Sequence, residues 1–193
     1  TTELIRQKKT SLFLRLAASK DKEGVLELSK KGLKVQKPAD IIREPYILDF
    51  LQIPEPYHFN ESELEHLLIT NLQQFLLELG KGFAFVGRQY RITLGNRHHY
   101  IDLVFYHRIL KCFVLIDLKT SKITHQDVGQ MDMYIRMYDE MKRNEGDNPT
   151  LGIILCSDTD EDIAKYSILH GHEQLFASKY KTCLPSEEQL REE

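Results

Sequence analysis

The feature that most constrains the fold is a set of three strand-like segments in the middle of the chain. Residues 83–94 and 98–106 alternate between apolar and polar side chains and are rich in aromatic and β-branched types, which favour extended structure. The turn between them reads LGNR, and a second turn, HRIL, leads into KCFVLIDLK. Because strands joined by such short turns pair antiparallel, we predict a three-stranded β-meander.

Helical patterns flank the meander on both sides. Apolar residues recur at helical spacing from residue 61 onward, which predicts a helix of about five turns that ends at Gly80. A second helix is predicted from Thr124 to near Lys142, with Asp127 completing a capping box at its start.

The segment after the second helix continues the α/β pattern. The apolar run LGIILC at 151–156 predicts a buried strand, followed by a short helix near 160–167, a strand near 174–178 and a polar C-terminal helix. The element order is therefore αβββαβ followed by αβ. This order predicts an α/β fold in which helices flank a mixed central sheet.

The first part of the chain differs in pattern and charge. Helices are predicted at 1–17 and 23–32, and residues 33–60 resemble a linker with four prolines. Residues 1–45 contain eleven Lys/Arg against six Asp/Glu, although the whole chain has a net charge of −3. We therefore expect 1–45 to be a basic helical extension, the tail of an N-terminal domain, and 46–193 to be the main domain.

Several classes of protein are excluded by simpler features. The apolar runs are far shorter than the roughly 20 residues of a membrane span, and the N-terminus lacks the apolar core of a secretory signal. The three cysteines are widely separated and odd in number, so a disulfide framework is not expected. A cytoplasmic location is the simplest expectation. No GxxxxGK[ST] loop occurs, so no NTP-driven motor is predicted.

Residues 81–111 form a basic stretch with one acid, Asp102. Basic side chains on strands can contact nucleic-acid phosphates, although solvated strand edges explain the same charges almost as well. The candidate phosphate contacts are Arg88, Arg91, Arg97 and Arg108.

The second turn of the meander brings this acid close to another. If the turn is centred in the middle of HRIL, Asp102 lies opposite Leu115, and Asp102 and Asp117 are diagonal neighbours on one face. Strand alternation places Lys119 on the same face. Two carboxylates and an ammonium group are therefore expected to converge at the end of an apolar strand.

Such a pair of acids has a recognisable chemistry. Close carboxylates raise each other's pKa unless a cation neutralises them, and Mg²⁺ or Mn²⁺ with oxygen ligands does so best. A cation held in this way can orient a hydrolytic water and neutralise a phosphoryl transition state, while the lysine steers or deprotonates the water. The alternative is that Asp117 and Lys119 are polar ends of an edge strand and Asp102 is a surface residue.

The sequence also resembles a known family. The resemblance rests on the segments FLLELGKGFAFVGRQYRITLGNRHHYIDLVFYHRILKCFVLIDLKTSKITHQDVGQMDMYIRMYDE and GDNPTLGIILC, which are similar to the C-terminal domain of the YhcG family of bacterial PD-(D/E)xK nucleases. It covers about 45–190 of this chain. The resemblance implies the αβββαβ restriction-endonuclease-like core, which agrees with the element order predicted above.

The resemblance also implies site residues. The first acid of the family motif matches Asp102, and its (D/E)xK element matches Asp117, Leu118 and Lys119, whereas the motif proline is replaced by Ile101. By this resemblance the two aspartates and the Leu118 carbonyl bind Mg²⁺ or Mn²⁺, and the lysine positions or activates water.

Two further positions are implied less directly. Many members of this superfamily add a catalytic glutamate from the first helix that binds the metal or one of its waters, for which Glu65 is the first choice and Glu63 the second. Ser62 and Glu65 also form an S-x-x-E pattern, so a capping box is the alternative role for Glu65. Gln130 and Tyr134 resemble a QxxxY element that lies beside the site in some relatives, the alternative being a buried, hydrogen-bonded tyrosine.

The resulting expectation is a Mg²⁺-dependent endonuclease that hydrolyses DNA in preference to RNA. A homodimer and partners from restriction or defence systems fit such an enzyme. Two alternatives remain open: a non-catalytic nucleic-acid-binding or assembly module that keeps the nuclease fold, and a protein-binding subunit of a defence complex.

Overall fold

The computed structural model describes residues 35–53, 59–158 and 173–182. Four predicted helices lie outside these residues: those at 1–17, 23–32 and 160–167 and the C-terminal one. The proposed boundary near residue 45 also stays a prediction. No helix among the described residues combines the length and the apolar content that crossing a membrane requires.

The described elements follow the predicted alternation of helices and strands. In chain order they are β1 (Tyr46–Ile47), α1 (Glu61–Thr70), α2 (Leu72–Leu79), β2 (Phe83–Leu94), β3 (Arg97–His107), β4 (Cys112–Leu118), α3 (His125–Met141), β5 (Leu151–Cys156) and β6 (Leu175–Lys181). Two short 3-10 turns, Pro38–Ile41 and Asp49–Leu51, flank β1.

The strands form one mixed sheet in the order β1-β6-β5-β4-β3-β2. Strands β2, β3 and β4 pair antiparallel, which confirms the predicted meander. Strands β4, β5, β6 and β1 pair parallel. The α/β class and the αβββαβ core are therefore as predicted. Strand β1 was not predicted, because two residues are too short to show a period.

Helices cover both faces of the sheet. Helices α1 and α2 contribute Leu64, Leu68, Phe75 and Leu79 to a core with Leu103, Phe105 and Ile116. On the other face, α3 contributes Met131, Tyr134, Ile135 and Tyr138 to a core with Val104, Leu115 and Ile154. Strand β5 is buried along its whole length because both of its faces are covered.

Helix α3 approaches β5 closely at a glycine. A Cβ atom added to Gly152 would lie 2.6 Å from Met131 Cγ and 2.8 Å from Ile135 Cδ1. A larger residue at this position would push α3 away from the sheet. The helix itself begins as predicted, because Thr124 and Asp127 form the expected capping box.

The helix predicted from residue 61 to Gly80 is broken in the middle. Asn71 lies between α1 and α2, and its Nδ2 donates a hydrogen bond to the Leu67 carbonyl at 3.0 Å. An asparagine side chain that bonds to the backbone in this way competes with the continuing helix. The predicted end is confirmed, since Gly80 follows α2 with φ of 106°.

The capping box at the start of α1 is not the predicted one. Asn60 Oδ1 accepts a hydrogen bond from the Glu63 N–H at 2.9 Å, and Glu63 Oε2 accepts one from the Asn60 N–H at 2.9 Å. Ser62 lies inside the helix, so the predicted Ser62/Glu65 capping box was wrong. Asparagine caps a helix about as well as serine, and the two patterns overlap in sequence. Glu65 therefore has no capping role.

The register between β3 and β4 differs by two residues from the predicted one. Leu103 lies opposite Ile116, so the next position of this register places Asp102 opposite Asp117 rather than Leu115. A shift by two keeps every side chain on its face, so the two aspartates still share one face.

The turn between the strands explains the shift. It spans 108–111, one residue beyond HRIL, and ends at Lys111 with φ of 51°. His107 Nδ1 accepts a hydrogen bond from the Leu110 N–H at 3.1 Å, which fixes the longer loop.

Strand β2 contains an irregularity that matters for the site. Its register with β3 shifts between Phe85 and Gly87, and shortly beyond that point Gln89 has a positive φ of 44°. Bulges of this kind redirect side chains from their regular alternation. Here the irregular segment lies beside Asp102.

Candidate active site

The two predicted acids meet at the carboxyl end of β4. Asp117 lies near the end of this strand with only 5% of its surface exposed, and the half-buried Asp102 lies beside it on β3. The Leu118 N–H donates a hydrogen bond to Asp102 Oδ2 at 2.8 Å, so the backbone of β4 holds the side chain of β3. Two carboxylates are thereby fixed next to each other.

Lys119 joins them immediately after β4. Its Nζ lies 2.9 Å from Asp117 Oδ2, 3.5 Å from Glu61 Oε2 and 3.9 Å from Asp127 Oδ1. Its side chain is only 13% exposed, and its backbone N–H donates a hydrogen bond to the Leu155 carbonyl at 2.8 Å. Carboxylates from β4 and from the first turns of α1 and α3 therefore surround one ammonium group.

The electrostatics of this group favour the protonated forms of both Lys119 and Asp117. Burial raises the pKa of Asp117 to about 7, helped by the negative charge of Asp102 and opposed by Lys119. Burial alone would lower the pKa of Lys119, but Asp117, Glu61 and Asp127 together raise it above its usual range. The site therefore has too little positive charge to keep Asp117 fully ionised at neutral pH.

The oxygen atoms of these residues fit a hard divalent cation. Asp117 Oδ2 is buried and accepts no hydrogen bond within the described residues, although Lys119 Nζ forms an ion pair with it. From the described residues each Asp102 oxygen accepts one hydrogen bond, which leaves lone pairs for a metal. In the part of the chain that the structure describes, no three His, Cys, Asp or Glu side chains form a metal-binding group. A cation bound here would need backbone oxygen and water as further ligands.

Glu65 reaches this pair of acids through a residue that the sequence analysis missed. Glu65 is only 7% exposed on α1, and Gln89 Nε2 donates hydrogen bonds both to Glu65 Oε2 and to Asp102 Oδ1, the latter at 3.0 Å. Gln89 belongs to the irregular part of β2, where alternation does not predict side-chain direction. Glu63, the second choice, is exposed and occupied by the helix cap.

Gln130 and Tyr134 lie together on α3, as their spacing predicted. Gln130 Nε2 donates a hydrogen bond to Tyr134 Oη at 2.6 Å, and the tyrosine is buried. Burial raises the pKa of Tyr134, and the charges of Asp117 and Asp102 add to this effect. The pair is therefore a buried, hydrogen-bonded unit that lies within electrostatic reach of the acids.

The four candidate arginines do not lie together. Arg88 and Arg91 on β2 and Arg97 on β3 are exposed on the ribbon that leads away from Asp102. Arg108 lies in the turn at the opposite end of β3, six residues from Asp102, which is about 20 Å along an extended strand. The first three arginines therefore lie on one ribbon, but Arg97, opposite Leu94, lies on the other face from Arg91, opposite Tyr100.

Comparison with known proteins places these features in a family. The family model described as the YhcG PDDEXK nuclease domain matches residues 39–193. The Escherichia coli (strain K12) protein named "Putative nuclease YhcG" is 37% identical over 191 residues, which are 99% of this chain and 50% of that protein. The chain therefore spans about half the length of this relative.

Solved structures show looser likenesses. One is titled "Structure of EndoMS-dsDNA2 complex", with 16% identity and a TM-score of 0.46 over 69% of this chain and 50% of that chain. Another is titled "crystal structure of a repair endonuclease from Pyrococcus abyssi", with 22% identity and a TM-score of 0.44 over 65% of this chain and 49% of that chain.

The raised pKa of Asp117 predicts a stability change in Asp117→Asn. The folded-state pKa of about 7 lies above the unfolded value of about 3.9, so the contribution of Asp117 to stability is complete below pH 3.9 and is lost as the pH rises through 7. Without metal, the variant should be more stable than the native chain at pH 8, by about 1–3 kcal/mol, and this advantage should shrink at pH 5.

Urea unfolding in EDTA at both pH values measures this difference. Glu140→Gln, which neutralises an exposed carboxylate on α3, is the matched control and should leave the unfolding free energy nearly unchanged. An Asp117→Asn variant that is no more stable than the native chain at pH 8 would contradict the proposed electrostatics.

The bridge made by Gln89 predicts coupling between Gln89 and Glu65. Gln89→Leu should lower the free energy of unfolding by about 1–3 kcal/mol, because buried Glu65 loses its donor. The double variant with Glu65→Leu should lose less than the sum of the two single variants. A double-mutant cycle from urea unfolding measures the coupling, with exposed Gln74→Leu as the control partner. Additive effects would show that the hydrogen bond between Gln89 and Glu65 does not contribute to the free energy of unfolding.

Proposed function

Because the chain belongs to the family of YhcG PDDEXK nuclease domains, we propose that it hydrolyses phosphodiester bonds of nucleic acid in a Mg²⁺- or Mn²⁺-dependent reaction. The observation that carries this proposal is the pair of half-buried Asp102 and buried Asp117, with Lys119 Nζ 2.9 Å from Asp117. Lys119 alone does not neutralise the two carboxylates, so a divalent cation between them would do so and would assist phosphoryl transfer.

Asp102, Asp117 and the Leu118 carbonyl would hold the cation, which when bound supplies Lewis-acid stabilisation of the developing phosphoryl charge. Lys119 stays protonated among its three carboxylates, so it donates hydrogen bonds to water or to a phosphate oxygen instead of removing a proton. Of the two roles expected for this lysine, the structure therefore favours positioning. Glu65 acts through Gln89, which orients Asp102.

DNA is the proposed substrate and RNA the alternative, as the family resemblance implies. A homodimer and partners from restriction or defence systems also stay proposals, since the chain spans about half of its relative. Contacts with phosphates are assigned to Arg88, Arg91 and Arg97, which share the exposed ribbon. Arg108 is too far from the acids to act at the same phosphates.

A second candidate function is a binding or assembly module that keeps the nuclease fold without its chemistry. Two observations favour it: within the described residues, no group of three metal-ligating side chains forms, and Glu65 accepts its hydrogen bond from Gln89. Such a module would bind nucleic acid but would not cleave it when Mg²⁺ is added.

Metal binding and cleavage, measured together, separate the two functions. By calorimetry the native chain should bind Mn²⁺ and Mg²⁺, and it should cleave members of a panel of DNA and RNA structures. Asp117→Ala should lose both properties, because it removes a proposed metal ligand. Lys119→Gln leaves the proposed metal ligands in place, so it should keep metal binding. Its cleavage rate should fall by about 10²–10³-fold, because the positive charge that stabilises the reacting phosphate is removed.

Glu140→Gln serves as the control with an intact site. Circular dichroism confirms that each variant is folded. Cleavage by Asp117→Ala at the native rate would show that the proposed site is wrong. A native chain that neither binds metal nor cleaves would favour the binding module.

A further inference from the structure

The last residues of β2 and the first residues of β3 form a two-stranded ribbon that extends beyond the part of β3 that pairs with β4. In this ribbon Arg91 lies opposite Tyr100, and Thr93 lies opposite His98, with a hydrogen bond of 2.9 Å between Thr93 Oγ1 and His98 Nδ1. We call these four residues the ribbon face. All four are exposed, and the register continues inward to Gln89 and Asp102. The ribbon face therefore lies next to Asp102 along β3.

The other side of the ribbon fixes it to the protein. Ile92 and Ile101 are buried in the core formed with α3, and Tyr90 packs against Tyr138 with ring centroids 5.7 Å apart. The ribbon face is thus held in place by a packed interface, which preorganises it for binding.

The ribbon carries positive charge without compensating acids. Residues 83–101 contain Arg88, Arg91 and Arg97 and no Asp or Glu. Among the described residues, the side chains of these arginines form no ion pair or hydrogen bond. Arg91 lies on the ribbon face, whereas Arg97, opposite Leu94, lies on the other face. The charge of Arg91 is therefore available to a phosphate of a strand bound along the ribbon face.

Tyr100 adds a feature that phosphate binding does not require. Its side chain is 48% exposed and has no ring partner or hydrogen bond in the described part of the chain. An exposed aromatic ring opposite a cation, here Arg91, provides a stacking surface for a nucleobase, but only for a base that is not already stacked within a duplex.

From this arrangement we infer that the ribbon face binds a single strand of nucleic acid, with an unpaired base stacked on Tyr100 and the backbone along Arg91. The inference rests on the proposed function and specifies its substrate class. Tyr100 precedes Asp102 by two residues, about 7 Å along the strand, which corresponds to about two stacked nucleotides. The acids would therefore act on the strand close to an unpaired base.

Binding without metal tests this surface independently of cleavage. In EDTA, fluorescence anisotropy compares a labelled 20-nucleotide single-stranded DNA with its duplex. Tyr100→Ala should weaken single-strand binding by about 5- to 100-fold. It should change duplex binding by less than about 2-fold, because the bases of a duplex do not reach the ring. Tyr100→Phe keeps the stacking surface and should bind single strands as the native chain does.

A charge comparison completes the experiment. Arg91→Gln should reduce the slope of log K against log salt by about 0.7 for single strands, whereas Arg108→Gln, an exposed arginine at the far end of β3, should not change it. Equal losses for both DNA forms in Tyr100→Ala, or no loss for either, would overturn the inference. So would a native chain that binds neither form. Because binding is measured without metal, a chain that binds single strands as predicted but does not cleave them when Mg²⁺ is added would refute only the proposed reaction.

Discussion

Two carboxylates held side by side in a poorly hydrated position are the constraint around which this domain is arranged. Asp102 and Asp117 repel each other, and burial makes the charge of Asp117 costly. Hydrogen bonds that the Leu118 N–H and Gln89 donate to Asp102 offset part of this cost, as does the ion pair between Lys119 and Asp117. Packing elsewhere in the domain compensates for this loss of stability. The fully buried β5, which lies between two layers of helices, is the main example.

The helices contribute to the same end of the sheet. Helix α1 begins at a capping box with Glu61 in its first turn, and α3 begins at another with Asp127 in its first turn. Carboxylates at helix N-termini are stabilised by the helix dipole, and here they also face Lys119. The two helix starts and the end of β4 therefore converge on one lysine. This convergence explains why Lys119 stays charged and why we assign it a positioning role.

Periodic features of the sequence predicted much of this arrangement. The meander, the start of α3 and the shared face of Asp102 and Asp117 all followed from alternation and capping patterns. The register was wrong by two residues because the turn at 108–111 has no strong sequence signal. The aspartates nevertheless stay on one face, because an even shift preserves alternation.

Features that break periodicity could not be predicted. Asn71 interrupts an apolar helical stripe that continues on both sides of it, and Asn60 caps α1 two residues before the pattern that Ser62 suggested. Gln89 is the most important omission, since an irregular strand with a positive φ directs it to two acids that are distant in sequence. Crystals soaked in Mn²⁺ test the central claim most directly. The account predicts an anomalous manganese peak in contact with both Asp102 and Asp117. Its absence there, with Gln89 and Lys119 still holding the two acids, would contradict it.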